Sequence, residues 1–573
     1  MAERLDRVTQ ALKYVLLLLL VMGFVGYTYA TAKGRIPAGE SLDANPWLLP
    51  VYAGWSLLRM TIAYVAALLF SIVYGYVAAT NKRAERVLMP LLDILQSVPV
   101  LGFFPAATLL FVRLLPGRLG FECAAIFLIF TSQAWNIAFG VYEGITTIPN
   151  DSSDALSSFG VRGLRRFRLL YLPACVPKLV YNSVLSWAGG WYFLIACEII
   201  TDGPMSHPLP GLGTFLTRAK DLGQPRWIVA GIAVLVGIVV VMDIFIWRPL
   251  GAWAEKYRYE FAASTVVPHR SWALDFWRRS RISAGLRHIG HTILEPIDNL
   301  IDRLSPPLAD ERPSPRRRFA VWLVALPSLA LLAWLSWEAA VALVHVLKWP
   351  WPSVSAWIPA AIGASFVRLL CAYVIALAWT VPLTAWAADR PHVMRVIQPL
   401  AQIGASVPAT ALFPLIVLVV ARHSGGMEVA SVLLVLTGMQ WYLLFNLIAG
   451  AAQIPGDLKE ATASLGIRGF RNFRKLQLPA MLPSLVTGSI TAWGGGWNAL
   501  IVSEYLKFGD SVSSVFGIGA MLDRATYSNE YGDGSAAMKV LTLFSMVAVI
   551  VMMNRLFWRP AYAKAADRFK VEY

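Results

Sequence analysis

Long apolar runs dominate this sequence and restrict what it can fold into. Residues 11–30, 61–80, 228–247 and 319–346 each contain at most one charged residue, and about 20 apolar residues cross a bilayer core as a helix. Only 15% of the 573 residues are charged, compared with about 25% in soluble domains. We therefore predict an all-α membrane protein. No small-residue cleavage pattern directly follows the first run, so we expect it to be a retained helix and not a signal peptide.

The chain is an internal duplication. Residues 154–177 (DALSSFGVRGLRRFRLLYLPACVP) and 460–483 (EATASLGIRGFRNFRKLQLPAMLP) are identical at 13 of 24 positions. Matches continue on both sides of this segment, with a change of offset upstream. They include Trp187 with Trp493, Glu198 with Glu504, Arg59 with Arg368, and GLG at 211–213 with GIG at 517–519.

Each copy contains about six apolar spans. They lie near 11–31, 56–80, 90–112, 121–146, 175–200 and 227–247, and near 319–347, 362–387, 394–420, 427–451, 480–505 and 538–558. An even number of spans gives both copies the same orientation, so about 12 transmembrane helices are expected around a pseudo-two-fold axis along the membrane normal. The predicted domains are residues 1–250 and 319–573, joined by a basic linker at 251–318.

The distribution of charge predicts orientation and partners. The formal net charge is +16, but the basic residues fall between apolar runs, which argues against nucleic acid as a partner. Lys and Arg are more numerous on the side of the N-terminus, which the positive-inside rule makes cytoplasmic. We expect both termini and the linker on that side. Amphipathic stretches of the linker, SWALDFWRRS and HTILEPIDNLIDRL, are expected to lie on the lipid surface, with docking of a partner as the alternative.

The sequence shows no sign of enzyme chemistry. Its four cysteines lie in or beside apolar runs without CxxC spacing, so neither a disulfide nor a metal is expected. The chain contains no GxxxxGK[ST] phosphate loop. No catalytic triad or metal-ligand cluster stands out among only 7 histidines. We predict a chain that is not an enzyme and has no cofactor of its own.

The duplicated polar segment has the form of two short helices displayed at the membrane surface. A helix-forming stretch, DALSSF or EATASL, runs to Gly160 or Gly466, where glycine permits a turn with positive φ. A basic stretch follows and ends at a Leu-Pro pair that opens the next span. Exposed helices with apolar and basic side chains suit insertion into a groove of another protein. A basic loop that only sets the topology is the alternative.

These segments resemble the EAA motif of binding-protein-dependent ABC transporter permeases. The resemblance lies in Glu460-Ala461, Gly466 and LQLP at 476–479, and in Asp154-Ala155, Gly160 and LYLP at 170–173. The departures are mild: Asp154 replaces Glu, Leu156 and Thr462 replace the second Ala, and Leu170 and Leu476 replace Ile. GGWNALIVSEYL and the GLG or GIG sequences further resemble the nitrate, sulfonate, taurine and bicarbonate branch.

The resemblance implies a fold, partners and a mechanism. It implies two tandem six-helix permease domains of the type I importer class in a bacterial inner membrane. Two copies of an ABC ATPase would bind ATP and Mg, and a periplasmic binding protein would meet the outer segments 201–226 and 507–538. The chain would move a small, anionic solute by alternating access. The implied ATPase-coupling residues are Asp154, Ala155, Gly160, Arg162, Arg165, Glu460, Ala461, Gly466, Arg468 and Arg471.

Ionisable residues near the outer ends of spans form a second group of candidates. Arg59 and Arg368 open the second spans, and Glu198 and Glu504 close the fifth spans at the same level. Charges inside a membrane are usually paired or functional, so we predict Arg59–Glu198 and Arg368–Glu504 ion pairs. The alternative is that the arginines attract an entering anion. These four residues and Trp191, Trp497, Asn136 and Asn498 are the candidates for the translocation pathway.

Val-Pro pairs at 98–99 and 407–408 are expected to break or kink the third spans, which favours a path between the halves.

Two further hypotheses about function remain open. A secondary transporter driven by an ion gradient also uses duplicated halves, but charges at mid-membrane would be expected there. An export permease or a membrane scaffold would need no outer binding protein.

Overall fold

The computed structural model describes residues 46–257 and 351–569 and the isolated positions Trp337, Val341 and Val344. Within these ranges it leaves out 98–99, 101–103, 116–117, 162–165, 201–208, 389, 408, 421–425, 453, 455, 509–510, 528–530 and 533–534. The predicted first span of the first copy, most of the linker and all but three positions of the predicted first span of the second copy therefore lie outside the described residues.

The described part of the first half is helical. Its helices are α1 (Leu49–Thr80), α2 (Lys82–Ser97), α3 (Phe104–Leu114), α4 (Arg118–Thr146), α5 (Asn150–Ser158), α6 (Leu172–Ile200), α7 (Leu212–Asp221), α8 (Pro225–Met242) and α9 (Arg248–Ala254). Two five-residue π-helical turns, Phe167–Tyr171 and Asp243–Trp247, lead into α6 and α9.

The second half repeats this order of elements. Its helices are α10 (Ile358–Ala388), α11 (Pro391–Ser406), α12 (Ala409–Val420), α13 (Gly426–Ala452), α14 (Gly456–Ser464), α15 (Phe470–Asn472), α16 (Leu478–Glu504), α17 (Ile518–Tyr527), α18 (Ser535–Met553) and α19 (Arg559–Phe569). π-Helical turns occur at Phe473–Gln477 and Asn554–Trp558. An antiparallel hairpin of β1 (Tyr505–Phe508) and β2 (Ser511–Ser514) adds a small departure from the all-α prediction.

Six described helical stretches are long and apolar enough to cross a membrane. They are Leu49–Thr80, Leu119–Thr146, Pro225–Ala254, Ser353–Ala388, Gly426–Ala451 and Ser535–Ala565, three in each half. Helices α6 and α16 are not among them, although they match the predicted fifth spans. Each packs between the other helices of its half, and a helix that packs mainly against protein needs a less apolar surface than one that faces lipid.

A cluster of aromatic rings holds the core of each half together. Tyr64 and Trp187 meet edge to face with centroids 5.4 Å apart, and Trp247 lies 5.7 Å from Trp187. In the second half the matching rings, Tyr373 and Trp493, are 5.7 Å apart. Such pairs contribute about 0.5–1.5 kcal/mol beyond their buried area. The matched tryptophans of the sequence are therefore core residues in both halves.

All four π-helical turns precede a proline by the same distance. In the first, the Leu172 N–H donates to the Phe167 carbonyl, five residues back, and Pro173 follows. The same arrangement occurs before Pro249, Pro479 and Pro560. Proline lacks an N–H and its ring clashes with the carbonyl four residues earlier, and a wider turn removes that clash. The Leu-Pro pairs at 172–173 and 478–479 and the Arg-Pro pairs at 248–249 and 559–560 thus mark a local widening of a continuous helix.

The third predicted span of each half is broken, as the Val-Pro pairs predict. In the second half α11 ends at Ser406 and α12 begins at Ala409. The broken spans also join the halves, because α12 contacts α6, α7 and α8 of the first half and α2 contacts α18 of the second. The two halves therefore interlock at their broken helices.

Candidate functional site

Two polar segments, residues 150–171 and 456–477, carry the repeated motif to one end of the molecule. The acidic and alanine positions of the motif are exposed in both copies, at Asp154, Ala155, Glu460 and Ala461. Arg468 and Arg471 are exposed as well, whereas Arg162 and Arg165 lie outside the described residues. These acidic, alanine and arginine side chains are thus accessible to a partner, whereas Leu170 and Leu476 of the motif are buried.

The helix of each polar segment ends at a glycine in the left-handed conformation. Gly160 has a φ of 67° and Gly466 a φ of 68°. In the first segment the N–H groups of Gly160 and of the next residue donate to the carbonyls of Ser157 and Leu156, and the second segment repeats both bonds. This Schellman pattern places a positive φ directly after the helix, where glycine is favoured. The predicted turns are confirmed.

Just before these glycines, each segment exposes a large apolar side chain that sequence reasoning missed. Phe159 is 77% exposed and Leu465, its match in the second copy, is 74% exposed. Phe470 of the second segment is 76% exposed. An apolar residue beside a turn is usually the last residue of the apolar face of an amphipathic helix, and that face is usually buried. The exposure of these side chains was therefore not expected. Its recurrence before both glycines was the available signal.

The far ends of the polar segments are anchored in the core. Leu170 and Leu476 are buried, and Leu476 packs with Leu447 and Met481 at the junction of α13 and α16. In the first half Phe167 lies edge-on to Tyr76 of α1, with centroids 5.1 Å apart. The polar segments are therefore connected to the long helices by packed side chains as well as by the chain.

At the opposite end of the molecule, the predicted Arg59–Glu198 pair is present. Arg59 Nη1 donates to Glu198 Oε1 at 2.6 Å, and both side chains are almost completely buried. Arg59 also makes a bidentate contact with Glu122, which was not predicted, at 2.5 and 2.9 Å. The Ser56 hydroxyl donates to Glu198 at 2.7 Å. We call these four residues the Arg59 cluster.

The second half contains the same arrangement, the Arg368 cluster of Arg368, Glu428, Glu504 and Ser365. Arg368 Nη1 donates to Glu504 at 2.8 Å, and its other nitrogens contact Glu428 at 2.5 and 2.8 Å. Here Glu428 is 55% exposed, compared with 14% for Glu122. Both guanidinium groups are therefore occupied by two carboxylates, in agreement with the pairing interpretation and not with a free anion attractor.

The GLG and GIG sequences position backbone donors for these clusters. The Gly213 N–H donates to Glu198 Oε2 at 2.8 Å, and the Gly519 N–H donates to Glu504 Oε2 at the same distance. Ser56 accepts the N–H of Leu212 at 2.9 Å. These N–H groups belong to the first turn of α7 and α17, whose orphan donors favour a negative charge. Each cluster therefore ties a short outer helix to the long helices.

The four remaining pathway candidates have different surroundings. Trp191 and Trp497 are buried in the cores of their halves, and Asn136 is partly exposed on α4. Asn498 lies where the halves meet, and its Oδ1 accepts the N–H of Val100 at 2.7 Å, at the break in the third span of the first half. Which of these residues line a pathway remains a prediction.

A cavity of about 80 Å³ lies beside Asn498, between α6 of the first half and α11, α13 and α16 of the second. We call it the inter-half cavity. Tyr192, Trp441 and Tyr442 contribute aromatic rings to its wall. Thr410 donates to the Tyr192 carbonyl at 3.2 Å across the same contact between halves. In the described residues no group of three or more His, Cys, Asp or Glu could hold a metal ion.

Comparison with protein families gives two matches within this chain. The family described as binding-protein-dependent transport system inner membrane component matches residues 67–246 and 380–557. Together these ranges cover more than half of the chain, and each contains one broken third span, one polar segment and both carboxylates of one arginine cluster.

Curated relatives align with about a third of the chain each. The nitrate import permease protein NrtB of Leptolyngbya laminosa is 27% identical over 184 residues, 32% of this chain and 61% of the relative. The bicarbonate transport system permease protein CmpB of Synechococcus elongatus is 24% identical over 202 residues, which are 35% of this chain and 66% of the relative. The taurine transport system permease protein TauC of Escherichia coli is 24% identical over 203 residues, which are 35% of this chain and 68% of the relative. The chain thus spans about two thirds of the length of these relatives.

Proposed function

Since this chain belongs to the family of binding-protein-dependent transport system inner membrane components, we propose that it supplies both permease halves of an ATP-driven importer, fused in one polypeptide. It moves a small solute from a periplasmic binding protein to the cytoplasm by alternating access. The chain performs no catalysis itself, and two copies of a separate ATPase bind ATP and Mg.

The observation that carries this proposal is the pair of exposed apolar side chains in the polar segments. Phe159 and Leu465 occupy matching positions at the ends of polar helices. Burying such a side chain contributes about 1.5–3 kcal/mol, so two clefts on two ATPase copies would each gain one anchor. The surrounding charges would form the polar rim typical of protein interfaces. A loop that only connects spans gains nothing from exposing these groups to water.

The packing of the polar segments supports a mechanical role. A displacement of the first segment reaches α6 directly through the π-helical turn and reaches α1 through the Phe167–Tyr76 contact. A displacement of the second segment reaches α13 and α16 through Leu476. Helices α6 and α16 flank the contact between the halves. Closure of two ATPases would therefore change how the halves meet.

At the outer end, the two clusters support docking of the binding protein. They fix the first turns of α7 and α17 to buried carboxylates, so a partner that presses on these helices acts on the long helices too. If the binding protein docks at the end that carries the two clusters, the polar segments and both termini lie on the cytoplasmic side of a bacterial inner membrane.

Co-purification with the ATPase of the same transport system tests the proposal. Phe159→Asp and Leu465→Asp each place a charge at an anchor that would be desolvated, so we expect recovery of the ATPase to fall at least tenfold in the double variant. Val87→Asp is the matched control, because Val87 lies on α2, which follows the same end of α1 that Phe167 contacts, and is 65% exposed. Equal recovery for the double variant and the control would reject the proposed docking.

A further inference from the structure

The inter-half cavity is built from uncharged side chains. Its wall includes Ala188, Gly189 and Tyr192 of α6, Trp441 and Tyr442 of α13, and Asn498 of α16. None of the residues that line it is Asp, Glu, Lys, Arg or His. A group of the size of a water molecule needs about 10–15 Å³ of cavity volume. A cavity of about 80 Å³ therefore holds roughly half a dozen such groups. The space suits one small solute.

The cavity lies farther along α6 than the charged cluster at its end. The lining residues Phe193 and Gly189 are five and nine residues from Glu198 along α6, which is about 8 and 14 Å along a helix axis. Each cluster itself contains one guanidinium and two carboxylates. These groups therefore supply no excess of positive charge toward the cavity. An anion that leaves water for a cavity without a cation loses hydration that uncharged hydrogen-bond donors replace only in part.

The polar side chains of the cavity wall are the phenols of Tyr192 and Tyr442, the Asn498 amide, the Trp441 indole and the Thr437 hydroxyl. Tyr192 and Asn498 are repeat-equivalent positions and meet each other, with the Tyr192 hydroxyl 3.4 Å from the Asn498 carbonyl. Tyr442 corresponds in the first half to Asn136, so the same two residue types are exchanged between copies. Such groups donate and accept hydrogen bonds without charge. They suit a solute that carries amide, hydroxyl or ring-nitrogen groups.

Glycines hold the aromatic walls in place and leave one side open. A Cβ added to Gly404 would come within 2.5 Å of the Trp441 ring, and one added to Gly495 within 2.7 Å of the Tyr442 ring. At Gly189, by contrast, the only atom within 4 Å of an added Cβ is the Tyr442 hydroxyl at 3.7 Å. The rings are thus packed on glycine backbone, and Gly189 faces free space between them.

We propose that the inter-half cavity is a transit site for a small solute without net charge that presents a flat, unsaturated face. Aromatic rings would contact that face. The Tyr442 hydroxyl, the acceptor lone pairs of the Tyr192 hydroxyl and the second amide N–H of Asn498 would hydrogen-bond to its edge, since the Asn498 amide oxygen accepts from Val100 and the Tyr192 hydroxyl donates to the Asn498 carbonyl. The inference rests on the proposed transport function but differs from the anionic substrate that the family resemblance implies. It assigns the cavity a class of solute that the names of the relatives do not contain.

Matched pairs of probes test the inference on the purified full-length chain in lipid nanodiscs. The probes are nicotinamide against nicotinate, benzamide against benzoate, and nitrate alone, each titrated while the thermal unfolding midpoint is recorded. We expect the uncharged member of a pair to raise the midpoint saturably, with a half-saturating concentration at least tenfold below that of its charged partner.

Two glycine variants locate the binding. Gly189→Val fills the cavity and should abolish the shift. Gly237→Val is the control, because a Cβ at this exposed position of α8 has no neighbour within 4 Å, and it should keep the shift. The inference is overturned if a charged probe or nitrate binds as well as the uncharged ones, if the shift survives Gly189→Val, or if no probe shifts the midpoint. Recovery of the ATPase by the same preparations tests the transport proposal separately, so each can fail alone.

Discussion

The carboxylate of Glu198 occupies the space beside Gly211, where an added Cβ would lie 2.2 Å from Glu198 Cδ. Gly517 has the same relationship to Glu504, at 2.3 Å. These contacts explain why both GLG and GIG begin with glycine: a side chain would push the carboxylate off the N–H groups of the next helix. The second half thus reproduces the steric detail of the first.

Gly211→Ala is therefore expected to destabilise the chain by about 1–3 kcal/mol, the usual effect of overpacking. Thermal unfolding in detergent should show a lower midpoint for Gly211→Ala and for Gly517→Ala. Gly251→Ala is the control, because its added Cβ meets nothing within 4 Å in helix α9, and it should unfold at or above the wild-type midpoint. Identical midpoints for Gly211→Ala and Gly251→Ala would show that the carboxylate does not fill this space.

The two arginine clusters should differ in their contribution to stability. Removing one partner of a buried pair costs about 3–5 kcal/mol, because the other charges stay buried without compensation. Arg59→Met should reach that range. Arg368→Met should cost less, because Glu428 is 55% exposed and regains water. Unfolding midpoints would test this order, with Arg83→Met on exposed α2 as a control near wild type. A larger loss for Arg368→Met would contradict the argument.

Gly466→Ala should loosen the second polar segment without unfolding the protein. The added Cβ has no neighbour within 4 Å, so the cost comes only from the φ of 68°, about 1–2 kcal/mol for a residue other than glycine. Trypsin should then cleave faster at the exposed Arg468 and Arg471, while the unfolding midpoint falls less than it does in Gly211→Ala. Gly363→Ala, on the exposed face of α10, is the control. Unchanged cleavage of Gly466→Ala would argue against the glycine as the determinant of the turn.

Asn498→Leu should weaken the contact between the halves. It leaves the Val100 N–H without its acceptor at the broken span, and an unsatisfied buried donor costs about 1–3 kcal/mol. Asn446→Leu is the comparison, because the Asn446 amide donates to a carbonyl of its own helix at 2.8 Å. A lower unfolding midpoint for Asn498→Leu than for Asn446→Leu is expected. The reverse order would mean that the bond to Val100 contributes little.

Much of the fold was predictable because the duplication gave every feature twice. The apolar runs predicted the long helices, the Val-Pro pairs predicted the broken third spans, and the glycines predicted the turns at Gly160 and Gly466. The Arg59–Glu198 and Arg368–Glu504 pairs followed from their matching depths in the sequence. Each of these predictions depends only on residues within one helix or on two residues at the same depth in the membrane, and the sequence shows both directly.

Features that depend on contacts between distant helices could not be read in this way. Glu122 and Glu428 each begin an apolar helix, where a single carboxylate is usually solvated, and nothing local places it against an arginine 60 or more residues away. The role of Asn498 depends on how the two halves meet. The exposure of Phe159 and Leu465 depends on the turn that follows them. The π-helical turns needed backbone geometry as well as the position of proline.

Thiol labelling of the two anchors tests the central claim most directly. In a chain that carries Cys123→Ser and Cys371→Ser, the two partly or fully exposed native cysteines, Phe159→Cys and Leu465→Cys would be treated with a membrane-impermeant maleimide in intact cells and in inverted membrane vesicles. The account predicts no labelling in cells, rapid labelling in stripped vesicles, and at least tenfold slower labelling when the purified ATPase is added back. Labelling from outside the cell, or a rate in vesicles that the ATPase does not change, would contradict it.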